Sequence, residues 1–318
     1  MIAAAVARAG VDPVEIDDVV LGAAHQYGAT GSNVARQSAL RAGLPTSVPG
    51  MSVDRKCSSG LMAIAIAAKQ IITDGMTVTV GGGAEAISLT QNRHAIKYRA
   101  QDPELLARVP AAYMSMIETA ELLRIVTAYR ARRRMPSRCN HSSARRRPRR
   151  QGGSTQNRAD DHLDDRHPQG YRRKLCMRSD LAQGRMQPTR YHGGRAGRAE
   201  PGLFGWAAGA AGRFITAGNS SQLSDGASAC VPMEAREAER RSLEPLGIYH
   251  GIAVAGCDPD EMGIGPIFAV PKLLRAHGLK VDDIGLWEMN EAFASQAIYC
   301  RDRLGLPNER LNVSGGAI

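Results

Sequence analysis

Cys57 is the residue whose type and neighbours point most directly to chemistry. It opens the turn Cys57-Ser58-Ser59-Gly60, between a short β-rich run and a long apolar helix. At this position the helix dipole and unpaired amides of Ser58, Ser59 and Gly60 would favour the thiolate, which is the reactive form of cysteine. Ordinary packing of a small apolar thiol is the alternative interpretation.

The elements around Cys57 form a strand, helix, strand sequence. The pattern predicts a strand at 50–53, a helix at 61–72 and a strand at 76–80 that ends before three glycines. This order is typical of a βαβ unit with a parallel sheet. The helix is apolar on nearly every face, which predicts burial between two layers.

The whole chain divides into three predicted segments. Residues 1–123 and 214–318 alternate helical and β-rich stretches, and in the last segment the pattern predicts helices at 226–240, 267–277 and 291–304 and a strand at 284–289. Residues 124–213 carry 21 Arg and 1 Lys against 6 acidic residues and show no lasting apolar period. Such a composition predicts a poorly ordered segment.

Composition narrows the class of protein. With 318 residues and 43% hydrophobic content, the chain can bury one large or two ordinary cores. No apolar run approaches the length of about 20 residues that a membrane span needs, and the N-terminus does not resemble a leader, so we expect a cytoplasmic protein. The six cysteines include no Cys-x-x-Cys pair, so we expect reduced thiols and no metal site.

Five short blocks, in this order along the chain, resemble the thiolase family. Several matches in sequence order carry far more weight than one motif. The blocks are Gly31-Ser32-Asn33-Val34-Ala35-Arg36, Val53-Asp54-Arg55-Lys56-Cys57-Ser58-Ser59-Gly60-Leu61, Gly82-Gly83-Ala84-Glu85-Ala86-Ile87-Ser88, Thr216-Ala217-Gly218-Asn219-Ser220-Ser221-Gln222-Leu223-Ser224-Asp225-Gly226 and Asn290-Glu291-Ala292-Phe293-Ala294.

This resemblance implies a fold and a reaction. The fold would be an α/β sandwich of five alternating layers, αβαβα, of which this chain would form an incomplete version. Thiolases transfer acyl groups between coenzyme A thioesters, and Cys57 would be the nucleophile that becomes acylated. Acyl-CoA molecules would be substrates, no bound cofactor is implied, and family members form homo-oligomers.

The resemblance also implies four further site residues. Asn290 matches the asparagine that orders a water in an oxyanion hole, and Ser221 matches a residue that hydrogen-bonds the pantetheine arm. Met262 and Phe293 match positions that line the acyl pocket. For these last two residues, ordinary core packing is the alternative interpretation.

The sequence departs from the family pattern in three places. The first strand of the N-terminal sheet is missing, and the Gly-His-Pro and Cys-x-Gly motifs, whose His and Cys act as general bases, are absent. We therefore expect impaired activity, or a noncatalytic protein of thiolase fold. The Arg-rich segment replaces the CoA-binding loop region, and we hypothesise that it is a frameshifted stretch.

Two other functions fit the sequence less well. A nucleic-acid binder could act through the Arg-rich segment, but aromatic residues are nearly absent there, and only Tyr129, Tyr171 and Tyr191 are present. We therefore expect no nucleic-acid partner and no membrane partner. A dinucleotide site at 81–83 would require the spacing Gly-x-Gly-x-x-Gly, which the sequence does not have.

Overall fold

The computed structural model describes residues 1–95, 98–126, 175–179 and 214–318. Contacts between residues group them into two units. The first unit contains residues 1–95, 98, 175–179 and 223–252, and the second contains 99–126, 214–222 and 253–318. Most of the Arg-rich segment lies outside the described residues, so its predicted poor order and the frameshift hypothesis stay predictions.

A six-stranded mixed sheet forms the centre of the first unit. The strands are β1 (Asp18–Gly22), β2 (Gly50–Val53), β3 (Thr79–Glu85), β4 (Leu175–Ser179), β5 (Gly226–Glu234) and β6 (Gly247–Ile248). Their order across the sheet is β2-β1-β3-β5-β4-β6. The strands β2, β1 and β3 are mutually parallel, and β5, β4 and β6 join them through antiparallel pairs. The predicted parallel βαβ arrangement is confirmed.

The helices are distributed between the two units. In chain order they are α1 (Ile2–Ala9), α2 (Val34–Arg41), α3 (Ser59–Asp74), α4 (Ile87–Thr90), α5 (Pro103–Arg108), α6 (Met116–Val126), α7 (Ala235–Arg240), α8 (Pro266–Ala276) and α9 (Ala294–Leu304). The first unit contains α1 to α4 and α7, and the second contains the others. None of the helices in the described part of the chain has the length and apolar character of a membrane span.

Helix α3 packs on the sheet through small residues. Ala63, Ala67 and Ala68 are fully buried, which allows the helix axis to approach the strands closely. The Thr79 hydroxyl donates to the carbonyl oxygen of Ala67 over 3.1 Å, so a hydrogen bond ties β3 to the helix. Leu61, at the start of α3, is 63% exposed, and the helix therefore buries one face rather than its whole circumference.

The main apolar core of the first unit lies where α1 packs against the sheet. Fully buried Ala9, Val19, Val80 and Val231 belong to it, and they come from one helix and three strands. At about 25 cal/mol per Å² of buried apolar surface, such side chains contribute most of the stabilisation that positions the strands.

Two element predictions in the first unit are wrong. Residues 226–234 form strand β5 instead of the first part of a helix, because they pair with β3 and β4 on both sides, and Pro232 would break a helix interior. Strand β3 begins at Thr79 and continues through the glycines to Glu85, because its hydrogen bonds to β1 and β5 do not require side chains.

The second unit is mainly helical in the residues described. Its apolar cluster joins Ala120 of α6 with Ile215 and Phe293. The predicted strand at 284–289 is wrong, since a single isolated bridge between Trp287 and Leu311 is formed there. Each strand needs a continuous partner, and this stretch meets a neighbouring extended segment only at that bridge.

Candidate active site

The nucleophile turn lies at the carboxyl end of β1, where Gly22 permits an unusually close approach. A Cβ atom added to Gly22 would stand 2.1 Å from the carbonyl carbon of Ser59 and 2.4 Å from the amide nitrogen of Gly60. Only a residue without a side chain therefore fits here. In open parallel sheets, ligands bind beyond the carboxyl ends of the strands, and the first turn of α3 occupies that place.

Side-chain hydroxyls fix the shape of the turn that carries Cys57. The Ser59 hydroxyl accepts from the amide of Arg55 at 2.8 Å and donates to the carbonyl oxygen of Lys56 at 2.6 Å. The Ser58 hydroxyl donates to the carbonyl oxygen of Arg55 at 2.9 Å. Lys56 has a φ of 47°, in the left-handed region, so the chain reverses directly before Cys57. The thiol of Cys57 is thereby presented at the surface, and it is exposed.

The expectation of three unpaired amides after Cys57 is wrong for two of them. The amide of Ser58 donates to the carbonyl oxygen of Arg55 at 3.1 Å, and that of Ser59 donates to the carbonyl oxygen of Lys56 at 3.0 Å. The tight turn before α3 uses these donors itself, because each stands opposite a carbonyl of the preceding residues.

The charge of Lys56 is neutralised locally. Its ammonium nitrogen lies 2.7 Å from a carboxylate oxygen of Asp54, whose other oxygen accepts from the Lys56 amide at 2.6 Å. Burial raises the pKa of Asp54, but these hydrogen bonds outweigh it and hold the pKa below its usual value. Asp54 is therefore ionised at neutral pH, and it offsets the positive charge of Lys56, the residue before Cys57.

A carboxylate at the end of β3 organises the loop that follows β1. Glu85 accepts from the amide of Ala24 at 2.7 Å and lies 3.3 Å from Nδ1 of His25. The ammonium group of Lys56 donates to the carbonyl oxygen of Ala24 at 3.4 Å. The loops after β1 and β2 and the end of β3 are thus hydrogen-bonded to each other at the same edge of the sheet.

Cys57 differs from the other described thiols in exposure. Cys230 and Cys300 are buried, and burial raises the pKa of each to about 11. At neutral pH both are protonated and enclosed, so neither can serve as a nucleophile. Among the cysteines whose side chains the structure describes, Cys57 is exposed, Cys257 is partly buried, and Cys230 and Cys300 are buried.

The other predicted site residues lie in the second unit, where the structure brings two of them together. The segment 219–221 runs beside 292–294: the amide of Ser221 donates to the carbonyl oxygen of Ala292 at 3.0 Å, and Ser220 forms a bridge with Phe293. Phe293 is buried in the apolar cluster of this unit. Its predicted place in an acyl pocket remains a prediction, as does the pantetheine contact of Ser221.

Met262 and Asn290 lie on separate segments of the second unit. Met262 belongs to the 3-10 helix Pro259–Ile264 and is 39% exposed. That helix adjoins α9, because the thiol of Cys300 donates to the carbonyl oxygen of Gly263 at 3.5 Å. Asn290 is exposed, and its side chain makes no hydrogen bond to another residue in the described part of the chain.

Sequence reasoning missed Gly22 and Asn312. The side-chain amide of Asn312 binds both Met289 and Glu291, the neighbours of Asn290. The signal for Gly22 is a glycine that ends an apolar strand within a βαβ unit. Asn312 carries a weaker signal, an asparagine between apolar residues before Gly315-Gly316.

Comparison with known proteins shows the family to which the chain belongs. The family model described as "Thiolase, N-terminal domain" matches residues 1–123, and "Thiolase, C-terminal domain" matches residues 243–318. The chain belongs to the thiolase family, and the resemblance predicted from its motifs is confirmed.

Individual relatives share most of the chain. A 3-ketoacyl-CoA thiolase of Bacillus subtilis (strain 168) is 34% identical, covering 98% of this chain and 78% of the relative. The 3-ketoacyl-CoA thiolase B, peroxisomal, of Mus musculus is 34% identical, covering 96% and 69%. The crystal structure of the Bacillus anthracis acetyl-CoA acetyltransferase matches with a TM-score of 0.68 and 29% identity, covering 99% of this chain and 78% of that one. The predicted thiolase-like α/β fold is confirmed.

Proposed function

We propose that the chain transfers acyl groups between coenzyme A thioesters through a thioester on Cys57, as an acetyl-CoA C-acyltransferase. The observation that carries the proposal is the position of an exposed thiol at the first turn of α3, beyond the carboxyl end of β1. The names of the relatives support a 3-ketoacyl-CoA substrate and a place in fatty acid metabolism.

In the cleavage direction, the Cys57 thiolate attacks the 3-keto carbon of the substrate. The bond between C2 and C3 breaks, and its electron pair passes to the enolate of acetyl-CoA, which takes a proton from solvent. The acyl group stays on Cys57 until the thiol of free CoA attacks it and releases acyl-CoA, which regenerates the cysteine. In this scheme Asn290 donates, directly or through water, to the thioester oxygen that becomes negative. Ser221 would hold the pantetheine arm, and Met262 and Phe293 would contact the acyl group.

Two observations favour the alternative of a noncatalytic protein with a thiolase fold. Asp54 neutralises Lys56, and the amides of Ser58 and Ser59 are already bonded, so less positive potential remains at Cys57 than the sequence suggested.

Three further expectations from the sequence stay predictions. They are a cytoplasmic location, the assembly of homo-oligomers, and the division of the chain into the segments 1–123, 124–213 and 214–318.

The test is acyl transfer to Cys57. We expect the intact chain to gain one acetyl group after incubation with acetyl-CoA, and peptide mapping to place it on Cys57. The control is Cys57→Ser, which keeps the turn and removes the thiol. If Cys57 gains no acetyl group but still reacts with iodoacetamide, the catalytic proposal is wrong and the noncatalytic alternative holds.

A further inference from the structure

We infer that Asn312 is a positioning residue that fixes the loop carrying Asn290; this inference rests on the proposed function, in which Asn290 stabilises the enolate. The side-chain amide of Asn312 makes three hydrogen bonds to Met289 and Glu291, the residues directly before and after Asn290. Its Oδ1 accepts from the amide of Met289 at 2.8 Å, and its Nδ2 donates to the carbonyl oxygen of Met289 at 3.0 Å. The second hydrogen of Nδ2 goes to Oε1 of Glu291 at 2.6 Å.

The backbone of Asn312 is itself held. Its amide donates to the carbonyl oxygen of Trp287 at 2.8 Å, and the amide of Trp287 donates to the carbonyl oxygen of Arg310 at 2.8 Å. Asn312 is 9% exposed and has a φ of 48°, a left-handed conformation that asparagine tolerates better than most residues. A buried residue in this conformation, with every hydrogen of its amide used, can adopt few other positions.

Glu291 is fixed from its other side. Its Oε2 accepts from the amide of Ile318 at 3.1 Å, and a Cβ atom added to Gly316 would stand 1.9 Å from the same oxygen. The carboxylate therefore lies against bare backbone, which only glycine provides. Asn312 and the segment 316–318 therefore hold the Glu291 carboxylate through both of its oxygens.

The consequence concerns Asn290, which lies between these two anchored residues. Its own side chain is exposed and makes no hydrogen bond to another described residue. A donor that is unused in the resting protein but attached to a fixed backbone is preorganised, because charge can develop against it without reorganisation of the loop. Asn312 would supply that preorganisation without touching the substrate.

The test uses Asn312→Asp, which keeps the size of the side chain. It removes both donor hydrogens and places a second carboxylate beside that of Glu291. Asn308→Asp is the matched control, because Asn308 lies in the same unit and its Oδ1 accepts from Arg301 at 2.9 Å, a bond that aspartate retains. Asn312→Gly, which tolerates the left-handed conformation, is a second variant without added charge.

Two quantities are measured for each variant. The first is amide hydrogen exchange of peptides covering 287–293, with peptides of α3 as the internal reference. The second is the rate at which Cys57 is acylated, by acetoacetyl-CoA in one experiment and by acetyl-CoA in another. Acylation of Cys57 by acetoacetyl-CoA releases the enolate of acetyl-CoA, whereas acylation by acetyl-CoA releases the thiol of CoA and no enolate.

We expect faster exchange at 287–293 in both Asn312 variants, and acylation by acetoacetyl-CoA that is about 10- to 100-fold slower, with acylation by acetyl-CoA unchanged. Adding Asn312→Asp to Asn290→Ala should cause no further loss. Unchanged exchange, or an equal loss with both thioesters, would overturn the inference. If the unmodified chain accepts an acyl group from neither thioester, the proposed function is wrong. Amide hydrogen exchange at 287–293 then shows by itself whether Asn312 fixes this loop.

Discussion

At the scale of single residues, the described cysteines differ in exposure and protonation. Cys57 is exposed, whereas burial raises the pKa of Cys230 and of Cys300 to about 11. Alkylation requires an accessible thiolate. Near pH 8 the two buried thiols are almost entirely protonated, because that pH lies well below their pKa values.

We therefore predict that limited iodoacetamide labelling of the native protein modifies Cys57 at least about 100-fold faster than Cys230 or Cys300. Peptide mass spectrometry after a short pulse measures the three rates. Unfolding in urea is the control, since it should make all three rates similar. Equal labelling in the native state would show that the burial of Cys230 and Cys300 is not maintained in solution.

At the scale of elements, the contact between β1 and α3 depends on Gly22. We predict that Gly22→Ala destabilises the protein by about 2–4 kcal/mol, because the new methyl group would overlap the backbone of Ser59 and Gly60 and the helix must move. Urea unfolding measures the loss, and acylation of Cys57 should fall with it.

A matched variant on the opposite side of this contact is Gly60→Ala. Its added Cβ would meet nothing closer than 3.9 Å. Since alanine is the better helix former, we expect Gly60→Ala to change the free energy of unfolding by no more than about 1 kcal/mol, in the stabilising direction. If both alanine variants lose stability equally, the close approach at Gly22 is not what limits this contact.

The parallel βαβ order and the position of Cys57 in a turn before a helix could be predicted from sequence, because their patterns are local. Apolar runs of strand length, a helix of alanine and isoleucine and a small-residue turn each act within about 20 residues. Strand β5 could not be predicted in this way, because its form is decided by pairing with β3, whose Gly81 lies 149 residues away from Cys230. The hydrogen bonds of Asn312 to Met289 and Glu291 likewise join residues more than 20 positions apart, and hydrophobic periodicity does not predict such contacts.

At the scale of the whole molecule, distant parts of the sequence meet in the first unit. Arg241 makes two hydrogen bonds to the carboxylate of Glu15, at 2.6 and 3.0 Å, and also pairs with Glu237. Hydrogen bonds from Arg240 and Arg241 outweigh burial and lower the pKa of Glu237 to about 2, and Arg241 likewise lowers the pKa of Glu15.

This network predicts a pH dependence of stability. A carboxylate whose pKa is lowered by folding contributes stability above its unfolded pKa, here about 4.5, and loses it as the pH falls towards about 2. We expect Arg241→Met to cost about 1 kcal/mol near neutral pH, since these groups are only partly shielded from solvent. Urea unfolding at about pH 7 and about pH 3 should show a smaller acid loss in the variant than in the parent chain. An identical acid loss in both would show that other carboxylates set this dependence.

The place of β5 inside the sheet has a consequence for how the protein is synthesised. Strands β1, β2 and β3 are complete once residue 85 has been translated, but the strand that pairs with the other edge of β3 ends at Glu234. At about 5–20 residues per second, the ribosome takes about 7 to 30 s to add the 149 residues between Gly81 and Cys230. Until β5 has been made, a sheet of β1, β2 and β3 lacks the strand that pairs with this edge of β3 in the folded protein. An unpaired strand edge is the kind of surface that recruits chaperones or other nascent chains.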